Sequence, residues 1–181
     1  MKTLLFLLLC TYSLSALGQD IYIGKNTSLS FFSSTALEDI EAGSNAATAV
    51  LDVKTGNFLF KVSNTSFQFK KKLMQEHFNE NYMESDKYPW STFKGKIREI
   101  IDPAKNGNYV LTADGNLDIH GVSKAYQVKI NISIDKGLIS AKTVFRVKLS
   151  DHQIKIPSIV FKNIAESVEV RAAAVFQAKK T

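Results

Sequence analysis

Three histidines are the residues whose side chains are best suited to bind a metal ion or to transfer a proton. His77, His120 and His152 lie far apart in the chain. No two of them have the short spacing of a zinc motif. The spacing therefore favours ordinary structural or surface histidines over a three-histidine metal site.

The motifs that mark common enzyme sites are missing from the sequence. It contains no nucleophile elbow, phosphate-binding loop, dinucleotide fingerprint or pair of catalytic acids. Glu76, Glu80 and Glu84 recur at four-residue steps, which is the spacing of a solvated helix face. We therefore predict that the protein is not an enzyme and needs no metal or cofactor.

The distribution of the basic residues argues against a nucleic-acid partner. The formal net charge is +6, and Lys70–Lys72 is the only basic run. A clustered basic face with interleaved aromatic residues, which is typical of nucleic-acid binding, is missing. A mild positive charge is compatible with transient contact with an anionic membrane surface or with simple solubility. We predict no nucleic-acid partner.

Residues 1–18 have the organisation of a cleavable export signal. Lys2 precedes a short apolar run, Leu4–Leu9, and small residues end the segment at Gly18. We predict that residues 1–18 are a signal peptide and that residues 19–181 form one exported domain.

The single cysteine bears on how that domain is stabilised. Cys10 lies in the predicted signal, and the leucine before it disfavours lipoprotein processing at this position. The exported domain therefore contains no disulfide, so it must be stabilised by the burial of apolar side chains.

The elements that position these side chains are mainly strands. Apolar or small residues occupy every second position from Tyr109 to Ile119, and again from Tyr126 to Ile134. The turn between them contains His120 and Gly121. Two long amphipathic strands around a short glycine-containing turn predict an antiparallel hairpin.

The other segments add further strands and one helix. Met74, Phe78 and Tyr82 follow at four-residue steps and predict a helix between Lys70 and Met83. Ser33–Asn45 is polar and acidic and predicts a loop or a short helical turn. Strands are predicted at Asp20–Phe32, with a bend at Gly24, and at Ala47–Val53, Phe58–Ser63, Trp90–Ile100, Leu138–Leu149 and Val168–Phe176.

This pattern of about eight strands is typical of an all-β barrel or sandwich. A closed barrel is favoured because an open sheet of long strands would expose edges that pair with other chains. An eight-stranded barrel is either filled by its own side chains or wide enough for one slender ligand. The 12 phenylalanines and 6 tyrosines suit both interiors, so both remain open from composition.

Two motifs give the chain a resemblance to a known family. The helix and the strand after it carry Phe78, Tyr88-Pro89 and Thr92-Phe93, with Leu73 or Met74 at the first position of the pattern. Farther along, Gly115–Lys124 reads GNLDIHGVSK. Both motifs, in this order, resemble the signatures of the YceI-like lipid-binding proteins.

The resemblance implies a fold, a location and a ligand. The expected fold is an eight-stranded antiparallel lipocalin-like barrel with one substantial helix near its mouth, exported to the bacterial periplasm. The expected ligand is an isoprenoid or other long-chain lipid of quinone or polyprenyl type, held in the barrel lumen. The chain departs from the family at Ser33–Ala46. This segment is rich in acidic and small residues, whereas an aromatic, glycine-rich stretch is usual there.

We therefore predict a non-enzymatic periplasmic carrier whose lipid tail contacts inward apolar side chains. The predicted contacts are Phe58, Phe60, Val62, Phe78, Phe93, Leu117, Ile119, Val128, Ile130 and Phe145. A polar head group would meet lysines at the rim, unless these are simply solvated, and the candidates are Lys70, Lys71, Lys72, Lys94 and Lys96.

Two alternatives remain. A barrel with a solid core would act as a structural or protein-interaction module of the cell envelope, and the volume of the interior cavity distinguishes it from a carrier. A lipid-modifying enzyme would require a histidine and a carboxylate that converge in the lumen.

Overall fold

The structure is a computed structural model that describes residues 20–157 and 162–179. The predicted signal peptide lies outside these residues. The strands are β1 (Ile21–Ser34), β2 (Asp39–Ser44), β3 (Thr48–Asp52), β4 (Asn57–Ser63), β5 (Gln68–Phe69), β6 (Trp90–Ile97), β7 (Gly107–Ile119), β8 (Val122–Asp135), β9 (Leu138–Lys148) and β10 (Ser167–Ala178). The helix α1 spans Lys72–His77, and short 3₁₀ turns lie at Asn64–Ser66 and Leu149–His152.

Eight of the strands close into an antiparallel barrel, as the sequence predicts. Around the barrel they follow the order β1, β3, β4, β6, β7, β8, β9 and β10, and β10 pairs with β1 to close it. The β7–β8 hairpin turns at His120 and Gly121, whose φ angles are +52° and +73°. The two remaining strands, β2 and β5, extend the sheet beside the second half of β1.

The predicted loop at Ser33–Asn45 is wrong, because this segment contains strand β2. Apart from Leu37 and Ile40 its side chains are small or polar, so the alternation is hard to see in the sequence. Ala42 and Ser44 are nevertheless buried. Strand β1 pairs with β3 at Ile21–Ile23 and with β2 from Leu29 onward, since a bulge between Lys25 and Ser28 redirects it.

The predicted helix is present but changes its hydrogen-bonding pattern midway. The α-helical part ends at His77, and a π-helical turn, Phe78–Tyr82, continues it. The Met83 N–H donates to the carbonyl of Phe78 at 2.8 Å, a five-residue step. Among the described residues, no helix has the length and apolarity needed to cross a membrane.

The barrel interior differs between its two ends. The helix end is where β4 finishes and β6 begins, since α1 lies between these strands in the chain. The far end is filled by buried apolar side chains, and Ala113 and Ile139 there are 0% exposed. The helix end encloses a cavity.

Candidate functional site

The cavity at the helix end has a volume of about 350 Å³, within the range of small-molecule sites. Its lining is mostly apolar. Strands β1, β4, β6, β7, β9 and β10 contribute to its walls, and α1 and the π turn contribute Met74, His77, Phe78 and Tyr82. Neither α1 nor the π turn contains a buried residue, so both lie over the cavity as a lightly packed cover.

One wall of the cavity is an aromatic cluster. Phe31 on β1 lies 5.6 Å from Phe67, 5.8 Å from Phe69 and 5.5 Å from Phe78, measured between ring centroids. Phe69 and Phe78 are themselves 5.1 Å apart. These rings join the barrel wall to the helical cover. The predicted contact set missed Phe31, Phe67 and Phe69, although each lines the cavity.

Four aromatic rings separate the cavity from the filled core, and we call them the aromatic floor: Phe58, Phe93, Tyr126 and Phe145. The Phe58–Phe93 centroid distance is 5.0 Å and the Phe93–Phe145 distance is 6.2 Å. Tyr126 lies 6.0 Å from Phe145. Phe93, Tyr126 and Phe145 pack both against the filled core and against the cluster nearer the helix end.

Most of the predicted contact residues line the cavity, namely Phe60, Val62, Phe78, Phe93, Leu117, Ile119 and Phe145. The other three, Phe58, Val128 and Ile130, lie in or against the filled core. Their side chains point into the barrel interior, deeper than the cavity lining. Alternation predicts which face of a strand is inward, and it carries no information about position along the barrel axis.

Polar side chains at the mouth of the cavity form hydrogen bonds with one another. The Lys71 Nζ donates to Glu38 Oε1 at 3.1 Å, and Asn163 Nδ2 donates to the other carboxylate oxygen at 3.3 Å. The Lys71 hydrogen bond, followed by that from Asn163, lowers the pKa of the Glu38 carboxyl. Both Glu38 and Asn163 line the cavity. This ion pair joins the β1–β2 turn to the start of the helical cover.

The other lysines predicted at the rim are solvent-exposed. Lys70 and Lys72 carry exposed side chains beside the helix start, and Lys94 and Lys96 are exposed on β6. In the described structure none of these four lines the cavity. The polar groups deeper in the site are internally satisfied. Asn64 donates to the carbonyl of Tyr88 at 2.6 Å and accepts a hydrogen bond from Ser91 Oγ at 2.8 Å.

The histidines do not gather into one site, although His120 Nδ1 lies 3.3 Å from the carbonyl oxygen of His152. Within residues 20–157 and 162–179, no three metal-binding side chains come together. His77 lines the cavity and His152 is fully buried. His120 Nε2 lies 2.6 Å from Glu84 Oε2, within hydrogen-bond distance, and neither residue lines the cavity in the described structure. His77 and Glu38 both line the cavity, but no hydrogen bond or ion pair joins them among the described residues.

Comparison with known proteins places the chain in a family. A profile of the YceI-like domain matches residues 24–176. The chain belongs to the YceI-like family. No curated protein sequence matches it significantly.

Solved structures share the YceI-like fold at low sequence identity. A polyisoprenoid-binding domain from Saccharophagus degradans, implicated in plant cell wall breakdown, superposes with a TM-score of 0.75 at 13% identity, over 89% of this chain and 99% of that one. BcnA from Burkholderia cenocepacia gives 0.68 at 18% identity, over 82% and 95%. A YceI protein from Campylobacter jejuni gives 0.57 at 18% identity, over 75% and 81%.

The YceI-like signature residues have a physical role at the helix end. Gly121, in the turn of the β7–β8 hairpin, adopts a φ of +73°, and a Cβ placed there would lie 2.4 Å from the Tyr88 ring. The same ring lies 4.8 Å from His120, edge-on. The Tyr-Pro motif therefore packs directly against the hairpin turn of the second motif.

Proposed function

We propose that this YceI-like domain is a non-enzymatic binding protein for an isoprenoid-like lipid, with the apolar chain held in the cavity at the helix end. The observation that carries the proposal is a mostly apolar cavity inside a barrel whose far end is filled. An apolar chain gains affinity from the surface that it removes from water, about 25 cal/mol per Å² before the costs of association. Such binding needs no catalytic group.

The polyisoprenoid-binding domain from Saccharophagus degradans supports this class of ligand. We further propose that the lipid is of quinone or polyprenyl type, and that the domain is exported to the periplasm by residues 1–18. A carrier of this kind takes up and releases its lipid through transient contact with a membrane surface.

The solid-core interaction module is the less favoured function. The far end agrees with it, since buried apolar side chains pack together there. The cavity at the helix end does not agree with it, because a solid-core module would have this end filled by side chains as well.

Native mass spectrometry tests the proposal. The exported protein is purified from its own host without detergent, weighed intact and extracted with organic solvent. We expect a stoichiometric adduct that extracts as a polyprenyl or quinone compound. A protein that stays free of lipid, even after incubation with isoprenoid quinones and polyprenols, would contradict the proposal.

A pair of neighbouring substitutions locates the site. Phe60→Asp introduces a charge into the cavity, and we expect the folded variant to lose the lipid because a buried unpaired charge is costly. Leu59→Asp is the matched control, since Leu59 is 36% exposed on the same strand. Equal lipid retention in the two variants would exclude the cavity as the site.

A further inference from the structure

The barrel interior is divided at a common depth on several walls. On β7, Leu117 lines the cavity, whereas Leu111 and Ala113 belong to the filled core. On β9, Phe145 lines the cavity, whereas Ile139 is buried in the core. The cavity therefore has a floor and does not continue through the barrel.

A cross-strand row of residues explains where the floor lies. The strand register aligns Phe58, Gly95, Gly115 and Tyr126 across β4, β6, β7 and β8. The absence of a side chain at Gly115 leaves room for the ring of Phe93, whereas at Gly95 the backbone of β7 is the near neighbour. A Cβ at Gly115 would lie 2.9 Å from that ring. The glycine of the second motif thus allows an aromatic ring to lie across the lumen.

We propose that the aromatic floor limits the length of the isoprenoid chain that this protein can bury, to about three isoprene units. This inference rests on the proposed function. A methylene group is about as large as a water molecule, whose share of liquid volume is about 30 Å³, so 350 Å³ holds on the order of a dozen carbon atoms. That volume matches a fifteen-carbon prenyl chain far better than one of eight isoprene units.

The limit has a measurable consequence for affinity. Each isoprene unit that enters the cavity removes apolar surface from water and lowers the Kd by at least about tenfold. Units that remain outside the mouth stay hydrated and change the Kd little. The Kd therefore falls with chain length and then levels off.

The test is a series of prenols of two, three, four and eight isoprene units, delivered to the delipidated exported protein from one cyclodextrin carrier. We expect the Kd to fall steeply from two units to three and to vary by less than about threefold between four and eight. A further tenfold fall between four and eight units would overturn the limit while leaving the proposed function intact. Failure to bind any prenol would overturn the proposed function as well.

Removing one ring of the floor tests its role directly. Phe145→Ala deepens the cavity, so we expect the Kd to level off at least one isoprene unit later than in the wild type. Phe69→Ala also removes a phenyl ring, but from the side wall of the cavity. This variant should change the Kd for prenols of every length without changing the chain length at which the Kd levels off. An unshifted level-off point in a folded Phe145→Ala variant would overturn the assignment. If Phe145→Ala does not fold, the same Kd series is measured on Phe145→Leu and compared with the wild-type series.

Discussion

His152 is a fully buried titratable side chain beside the β7–β8 hairpin. Its Nδ1 lies 3.1 Å from the carbonyl of Val122, so this nitrogen carries the proton and donates it. Its Nε2 then accepts from the Tyr126 hydroxyl at 3.3 Å. The neutral ring thus satisfies both partners, and a second proton would disrupt the Tyr126 contact.

Burial lowers the pKa of His152, against smaller opposing effects of its hydrogen bond to Val122 and the charge of Asp151. His152 therefore binds a proton more readily in the unfolded chain than in the folded protein. This difference lowers stability at pH values below the ordinary histidine pKa of about 6.5. We expect the free energy of unfolding to be greatest above that pH and to fall as the pH decreases below it. Denaturant titrations between pH 7.5 and 5.5 measure the slope.

Two variants isolate the contribution of His152. The fall in stability should be smaller in His152→Gln, which cannot be protonated, and unchanged in His77→Asn, since His77 is exposed on the helical cover. An identical pH slope in wild type and His152→Gln would show that this residue does not control the acid sensitivity.

Turn glycines offer a second comparison of single residues. Gly121 and Gly137 both have positive φ angles, +73° and +80°, so alanine is strained at either position. A Cβ at Gly137 would meet no atom within 4 Å, whereas at Gly121 it would collide with Tyr88. We expect Gly121→Ala to lower the free energy of unfolding by at least about 1 kcal/mol more than Gly137→Ala, measured by chemical denaturation. Equal losses would mean that the Tyr88 packing contributes little.

At the scale of elements, the helical cover is held at both ends by single side-chain contacts. Lys71 and Glu38 hold its start, and Glu84 and His120 hold the segment that follows its end. Since no residue of the cover is buried in the described structure, these pairs and the aromatic cluster carry much of its attachment. Lipid exchange requires the cover to move.

We expect Glu84→Gln to speed lipid release several-fold while changing the free energy of unfolding by less than about 1 kcal/mol, because a single partly exposed polar contact contributes little to stability. The measurement is the rate at which a bound fluorescent prenol transfers to vesicles. Glu76→Gln is the control, since the Lys72–Glu76 ion pair joins two residues of the same helix and does not connect the helix to the barrel. Equal release rates in the two variants would contradict a fastening role for Glu84.

Particular elements explain what the sequence could and could not predict at this scale. The β7–β8 hairpin was predictable because its long strands alternate between apolar and polar residues around a glycine turn. Strand β2 was not, because it pairs through small side chains such as Ala42 and Ser44. The π turn was also hidden, since Met74, Phe78 and Tyr82 share one face in both types of helix.

At the scale of the whole molecule, the barrel is half filled and half hollow, so each of the two interiors considered from composition describes one end. Residues such as Phe60 and Ile130 alternate in the same way along their strands, yet the first lines the cavity and the second packs on the core. Depth depends on the strand register and on the Gly95–Gly115 pair, which place the aromatic floor. Neither the strand register nor the pairing of these two glycines can be predicted from the sequence of a single strand.

Methyl NMR of the delipidated protein during titration with farnesol tests most directly whether lipid occupies the helix-end cavity. The account predicts that the methyl signals of Leu117 and Ile119 shift in proportion to occupancy. The signals of Ile132 and Ile139, in the filled far end, should stay in place. Shifts confined to the far end, or to outer-face residues such as Val144, would contradict it.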